Sequence, residues 1–420
     1  MHSKSVEVAH GEGLHRIYTT GAITKADYAG KRFISARTDK IAEKDHRIGA
    51  VVLEKVEGPS GLIGELGRGD FNVRHIEYIP EKEGFADLDE FFSAKGKVTS
   101  DKTLALVLGD LHADVLDQSL FKTLGEQIKE LHPEFVVIHD LLDAMSISHH
   151  EREQLLTLAG RADRGELNLE REFDRAAAAL NAILAADPSV KIVVVDANHN
   201  EFTERWLEAG RFSEQAENTR VGLELSYVRA ATETEGVRTI GPLEYALLWP
   251  GIRLPWDRDS DVRPPRVDEP SRVVFLRPGQ SFKIGPDNRL VELGFHGDVG
   301  KNGARVSLKS MERAFGRAVY GHTHSTDRRN DVVNVGTFTK LLLKYNARGT
   351  STWSQSMVRV GANGELQILD FVNGQWYDKS NDRPKDEKAS LGEDYPQVLP
   401  NNEYHGEEGQ VDQWSEWKKN

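Results

Sequence analysis

Nine residues able to ligate metal or move protons stand in five short clusters along this 420-residue chain. They are Asp110-Leu111-His112, Asp140 with Asp143, Asn198-His199, a lone His296, and Gly321-His322-Thr323-His324. Each follows an apolar run. There is no cysteine, so any metal must be held by carboxylate, imidazole or carboxamide donors, which suits manganese, iron, zinc or nickel rather than a thiophilic site. Two divalent ions about 3.5–4 Å apart can clamp one phosphoryl group, so the chemistry expected is hydrolysis of a phosphate ester. Any one cluster is weak, because a lone histidine is usually packed or solvated. The signal lies in their order and in the strand before each.

The elements between the clusters must bring them together. TLALVLGD, FVVIHD and VKIVVVDAN read as buried strands. SLFKTLGEQIKELHP, with Leu120, Leu124, Ile128 and Leu131 at helical spacing, and NLEREFDRAAAALNAILAADP read as amphipathic helices. Such alternation predicts parallel strands under covering helices, with ligands beyond the carboxyl ends of the strands. Asp110, Asp140 and Asn198 fall there. The strand pattern resumes in RLVELGFHG, RAVYGHTH and DVVNVGTF, and Asn363-Gly364 marks a hairpin.

Residues 1–98 read as a separate, mostly β module for substrate docking or assembly, the candidate contact for a homo-oligomer. Residues 99–380 form the main domain, with 207–290 as an irregular, Pro- and charge-rich insertion near the substrate face. Residues 381–420 read as an acidic, partly disordered tail. No apolar run approaches the roughly 20 residues of a membrane span, and the first residues lack the apolar core of a signal peptide. Both fit the cytoplasm. The net charge of −13 argues against a protein that coats nucleic acid, but not against a nuclease, because two divalent cations reverse the local field.

In this order, Asp-x-His, Asp-x-x-Asp, Asn-His, His and Gly-His-x-His resemble the calcineurin-like metallophosphoesterase superfamily, over roughly residues 102–372. The resemblance implies an α/β (α+β) fold: a two-sheet β-sandwich flanked by helices, αββα, to which the N-terminal β-rich module is added. It implies two divalent ions, manganese first, with iron, zinc, nickel or magnesium as alternatives. Asp110, His112 and His324 would complete one site, and Asn198, His296 and His322 the other, with Asp140 shared. A hydroxide between the ions would attack phosphorus in line, while His199 protonates the leaving oxygen and Asp143 orients His199. More narrowly, FHGDVGKNGARVS, VYGHTHS, VGTFTKLLLKYN and STWSQSMVRVGANGELQIL resemble metallophosphoesterases of bacteriophages, including nucleases of the DNA-transfer-protein type. That implies a phage DNase acting on DNA in the host cytoplasm.

The chain departs from the family pattern at three positions. His139 replaces the Gly before the shared Asp, Ala197 the Gly before Asn198, and Asn200 the acid after His199. His139 reads as a packed histidine beside the metals, with an accessory ligand as the alternative, and the acid missing at Asn200 is either supplied by Glu201 or not needed. Substrate candidates are His149 and His150, whose plain alternative is polar surface. Lys301, Arg305, Lys309, Arg313 and Arg317 recur every four residues and would form a basic stripe on a helix facing DNA; a solvated face is the plain alternative. Two other functions suit the same residues: a phosphomonoesterase or nucleotide phosphatase, and a metal-stabilised assembly protein without catalysis.

Overall fold

A computed structural model describes residues 2–8, 15–24, 46–56, 70–99, 102–234, 237–238, 240–254, 261–344, 346–372, 374 and 376. The tail expected over 381–420 lies outside them. In chain order the strands are β1 (His2–Val6), β2 (His15–Tyr18), β3 (Gly49–Val56), β4 (Asp70–Ile79), β5 (Gly84–Asp87), β6 (Glu90–Ser93), β7 (Gly96–Thr99), β8 (Thr103–Asp110), β9 (Phe135–His139), β10 (Lys191–Val194), β11 (Glu233–Thr234), β12 (Val237–Arg238), β13 (Val273–Phe275), β14 (Lys283–Ile284), β15 (Val291–Glu292), β16 (Ala318–Tyr320), β17 (Asp327–Arg329), β18 (Val332–Asn334), β19 (Ser356–Gly361) and β20 (Leu366–Asp370). The helices are α1 (Gln118–Leu131), α2 (Leu155–Asp163), α3 (Leu169–Ala186), α4 (Phe202–Glu208), α5 (Thr219–Thr232), α6 (Pro242–Leu248) and α7 (Leu308–Phe315).

A six-stranded sheet runs β13-β10-β9-β8-β19-β20, and a seven-stranded sheet runs β14-β15-β16-β18-β17-β1-β2. β10, β9 and β8 are parallel, as the sequence predicts, β13 adds a fourth parallel strand, and β19 and β20 add antiparallel as a hairpin. Strand side chains alternate between faces, and both faces of β8 are buried. Ala105 and Val107 join Val137, Val193, Val319, Val333 and Val358 in the core between the two sheets. Leu106 and Leu108 face the other way, into a core shared with α1 and α3. On the far side, Met311 of α7 packs on Ala318, Tyr320 and Val332 of the seven-stranded sheet. The layers are therefore helices, sheet, sheet, helix.

Helix ends are set locally. Asp117 caps α1 by accepting from the Ser119 and Leu120 amides, and His132 in the left-handed region ends it before Pro133. Asn168 caps α3 through the Arg171 amide. Among the described residues, no helix is long and apolar enough to cross a membrane.

Two expectations about organisation are corrected. Residues 1–98 do not stand wholly apart. β1 pairs antiparallel with β17 and so belongs to the seven-stranded sheet, whereas β3 to β7 form their own five-stranded sheet. That smaller sheet is clamped to the body: Glu77 of β4 accepts from Arg289 at 2.6 Å, and the Leu88 amide donates to Gln367 at 2.7 Å. Residues 207–290 are not irregular throughout, since they hold α5, α6 and β13, the edge strand of the six-stranded sheet. Glu224 sits on the buried face of α5 and breaks its apolar pattern. Its carboxylate accepts from the Tyr245 hydroxyl at 3.0 Å and the Ile252 amide at 3.4 Å. Part of the Pro-rich run, 255–260, lies outside the described residues.

Candidate metal centre

The carboxyl ends of both sheets meet at one edge. Asp110 ends β8, and Asp140 follows β9. Asn198 lies beyond β10, His296 beyond β15, and His322 and His324 beyond β16. The Asp110 carbonyl accepts from the Phe338 amide at 3.0 Å and the Thr337 hydroxyl at 2.9 Å, tying β8 to the segment after β18. His112, Asp140, His322 and His324 all take positive φ, at 41°, 39°, 77° and 56°. Each such non-glycine residue costs on the order of 1–3 kcal/mol, and strain of this kind concentrates where a site needs it.

The donor atoms converge with nearly uniform spacing. His112 Nε2 and His324 Nε2 are 3.2 Å apart, and His324 Nε2 is 2.9 Å from Asp110 Oδ2. His296 Nε2 lies 3.0 Å from both Asp140 Oδ2 and Asn198 Oδ1, and His322 Nδ1 is 3.1 Å from the same Asn198 oxygen. Neighbouring ligands of an octahedral ion with bonds near 2.1 Å sit about 3 Å apart. Asp110, His112 and His324 form one group able to hold a metal ion, and Asp110, Asp140 and His296 another. A third joins His112, Asp143 and His199, so Asp110 and His112 each belong to two of the groups.

Electrostatics argue for a cation. Asp110 and Asp140 are buried, at 0% and 1% exposure. Among the described residues neither has a Lys or Arg partner; their counter-groups are imidazoles. Burial alone would raise Asp110, but His296 and His324 outweigh it and hold the carboxyl below its usual range. Burial opposes the charge on Asp140 too, and His296 and His199 push it well down. A desolvated charge costs several kcal/mol unless paired, so an all-oxygen-and-nitrogen cage around carboxylates fits a divalent metal.

Without metal, imidazole protons do that work. Burial pulls His112 down, but its hydrogen bond to Asp143 lifts it to about 9. His296 is likewise lowered by burial and lifted by Asp140 and Asp110 to about 9. A raised folded-state value contributes stability that is complete below the free imidazole value of about 6.5 and is lost as pH rises through the folded value. Metal-free protein is therefore expected to melt several degrees lower at pH 9 than at pH 6.5, and His296→Gln should shrink that fall. A flat or rising melting temperature in EDTA across this window would contradict it.

His199 sits beside the cage, with its ring held by the backbone of the Asp140 loop. Its main-chain N–H donates to Asp140 Oδ1 at 3.0 Å, and its Nδ1 donates to the Asp143 carbonyl at 2.9 Å. A carbonyl can only accept, so Nδ1 carries hydrogen and Nε2 takes no part in that bond. The Asp143 carboxylate plays less of the orienting part than expected. Its Oδ1 is 3.3 Å from His112 Nδ1 and 3.6 Å from His199 Nδ1. It mainly serves His112, while the Asp143 backbone holds His199. The His199 ring also stacks on Phe202, centroids 4.7 Å apart.

Other sequence candidates separate here. Arg305 reaches the site, its Nε donating to His322 Nε2 at 3.2 Å. The basic stripe is not one helix: Asn302 and Gly303 take positive φ, and α7 starts only at Leu308, capped by Ser307. Lys301 sits in that turn, and Lys309 and Arg313 are exposed on α7. Arg317 is committed to Asp331 at 3.0 Å. His149 and His150 stack on each other, centroids 3.9 Å apart, and meet Phe202. His139 is fully buried with neither ring nitrogen hydrogen-bonded, and burial with His296 nearby lowers it to about 3. Asn200 ties two loops, accepting from the Leu142 amide at 3.1 Å and donating to the Val195 carbonyl at 3.2 Å. Glu201 pairs with Arg205 instead of replacing an acid at 200.

Two aromatic neighbours went unread in the sequence. Phe202 lies three residues after His199, and Trp353 meets His324 with centroids 4.1 Å apart. Their apolar character gives no signal that separates them from core. Gly321 lies tight against the site: a Cβ there would lie 2.4 Å from Asp110 Oδ1. Gly321→Ala is expected to displace that carboxylate and weaken metal affinity at least tenfold by calorimetry, about 1.4 kcal/mol. Unchanged affinity would show that the loop yields freely.

Comparison with known proteins gives one relative. The chain is 28% identical over 385 residues to Protein A1 of Escherichia phage T5, a match covering 89% of this chain and 62% of that protein. The chain thus spans less than two thirds of the length of the curated relative it matches. No family model matches the chain, and no solved structure matches it.

Proposed function

We propose that this chain is a dinuclear-metal phosphodiesterase of the calcineurin-like type, a phage nuclease that hydrolyses DNA in the cytoplasm of the infected cell. One observation carries the reading: donors from both sheets converge at about 3 Å spacing, with a tautomerically fixed histidine beside them. The helix–sheet–sheet–helix layering supports the same family, and the similarity to a phage T5 protein supports the setting.

Asp110, His112 and His324 would hold one ion, and Asn198, His296 and His322 the other, with Asp140 shared. Manganese suits these hard donors first, then iron, zinc, nickel or magnesium. When bound, such a pair neutralises phosphoryl charge and lowers the pKa of water. The chain does the rest. Protonated His199 gives its Nε2 proton to the departing sugar oxygen as the phosphorus–oxygen bond breaks, and regains one from solvent. The Asp143 carbonyl and the Phe202 ring fix the plane from which that proton leaves. His199, Asn198 and His322 are the half-buried members of the site, so they mark its open side, where Arg305 meets the phosphate backbone.

The test is incubation of purified protein with linear and circular DNA in Mn²⁺ or in EDTA. Cleavage in Mn²⁺ and none in EDTA is expected. Intact DNA with every one of the five metals would overturn the nuclease reading.

A further inference from the structure

A cavity of about 520 Å³ opens beside His199, a volume typical of pockets that enclose a small ligand. Phe202 joins the two: it stacks on His199 at 4.7 Å and meets His149 edge-on at 5.3 Å. The wall carries three guanidiniums, of Arg152, Arg205 and Arg211, and the imidazoles of His149 and His150, against one acid, Glu153. Two of the guanidiniums already have carboxylates: Arg152 pairs with Glu214 at 3.0 Å and Arg205 with Glu201.

Arg211 differs. It makes no ion pair among the described residues, its Nη2 reaches only the Ser148 carbonyl at 3.5 Å, and its Nε is buried with no hydrogen-bond partner. Burial and neighbouring Arg152 pull its pKa below the ordinary value, and Glu214, already paired with Arg152, only partly offsets them. A buried guanidinium N–H left unpaired is costly, and a phosphate oxygen would satisfy it.

Position decides which part of a substrate fills this cavity. His199 delivers its proton to the leaving oxygen, so the departing group lies on the His199 side. In a polynucleotide that group carries another phosphate one nucleotide away. We propose that the cavity is a subsite for the nucleotide on the leaving side of the scissile bond, with Arg211 binding its distal phosphate. This rests on the phosphodiesterase reading and gives it a substrate class: polynucleotides rather than isolated diesters or monoesters.

The test compares the dinucleotide TpT with pTpT and TpTp. Whichever sugar oxygen leaves, one of the phosphorylated forms places a second phosphate on the leaving side. That form is expected to have a kcat/KM about tenfold above TpT, the scale of one charge-assisted hydrogen bond. Arg211→Ala should bring the ratio near one, and Arg211→Lys should keep part of it. Equal rates for all three in the unaltered protein, or an advantage that survives Arg211→Ala, would overturn the subsite. If no diester is cut, the phosphodiesterase reading fails by itself. The subsite is then judged by binding of the fluorescently labelled dinucleotides in EDTA. Binding that needs the extra phosphate and is lost in Arg211→Ala upholds an anion site, and equal binding with and without that phosphate rejects it.

Discussion

Asp110→Asn is expected to abolish the rise in melting temperature that Mn²⁺ produces and to lower turnover by at least a thousandfold. The carboxamide keeps an oxygen for the His322 amide, which Asp110 Oδ1 accepts at 3.0 Å, so the loop is spared. What is lost is a negative charge that belongs to two of the three ligand groups. At a metal concentration a hundred times the Kd, one site adds about 2.7 kcal/mol to folding stability. In a domain of this size that is on the order of 5–10 °C. The metal-free variant should melt below the metal-free parent, because the carboxylate that His296 and His324 compensate has been neutralised. Differential scanning fluorimetry with and without Mn²⁺ reads both. A metal-induced shift that persists in full would show that Asp110 is not a ligand.

His199→Ala should do the reverse: keep the metal-induced shift and lose turnover. A positioned general acid is worth roughly 10²–10⁴ in rate when the leaving group needs its proton. A deoxyribose oxygen does, and p-nitrophenolate does not. The loss should therefore approach the upper end on DNA and be small on bis(p-nitrophenyl) phosphate. Equal losses on the two substrates would mean that His199 binds or positions the phosphate and donates no proton.

Much of this site was legible because its residues end strands whose apolar runs are unmistakable. TLALVLGD, FVVIHD and VKIVVVDAN are buried on both faces and run parallel in the sheet, so the polar residues that follow them fall at one edge. Backbone conformation was not legible. Positive φ at His112, Asp140, His322 and His324 aims the donors inward, and no propensity announces it at His or Asp. α5 was missed because Gly222, pressed against Phe212, and buried Glu224 interrupt its helical face. The basic stripe misled for the converse reason. Its four-residue spacing is helical, but Asn302 and Gly303 break the chain before α7 begins. The role of Phe202 and Arg211 needed tertiary contacts, since a cavity wall drawn from α4 and its flanking turns has no periodic signature.

The most direct test is an anomalous-difference map from crystals of the full chain grown with Mn²⁺. Two peaks about 3.5–4 Å apart are expected, one against Asp110, His112 and His324 and the other against Asn198, His296 and His322. A single peak elsewhere, or none within coordinating distance of these side chains, would contradict the dinuclear centre and the chemistry built on it.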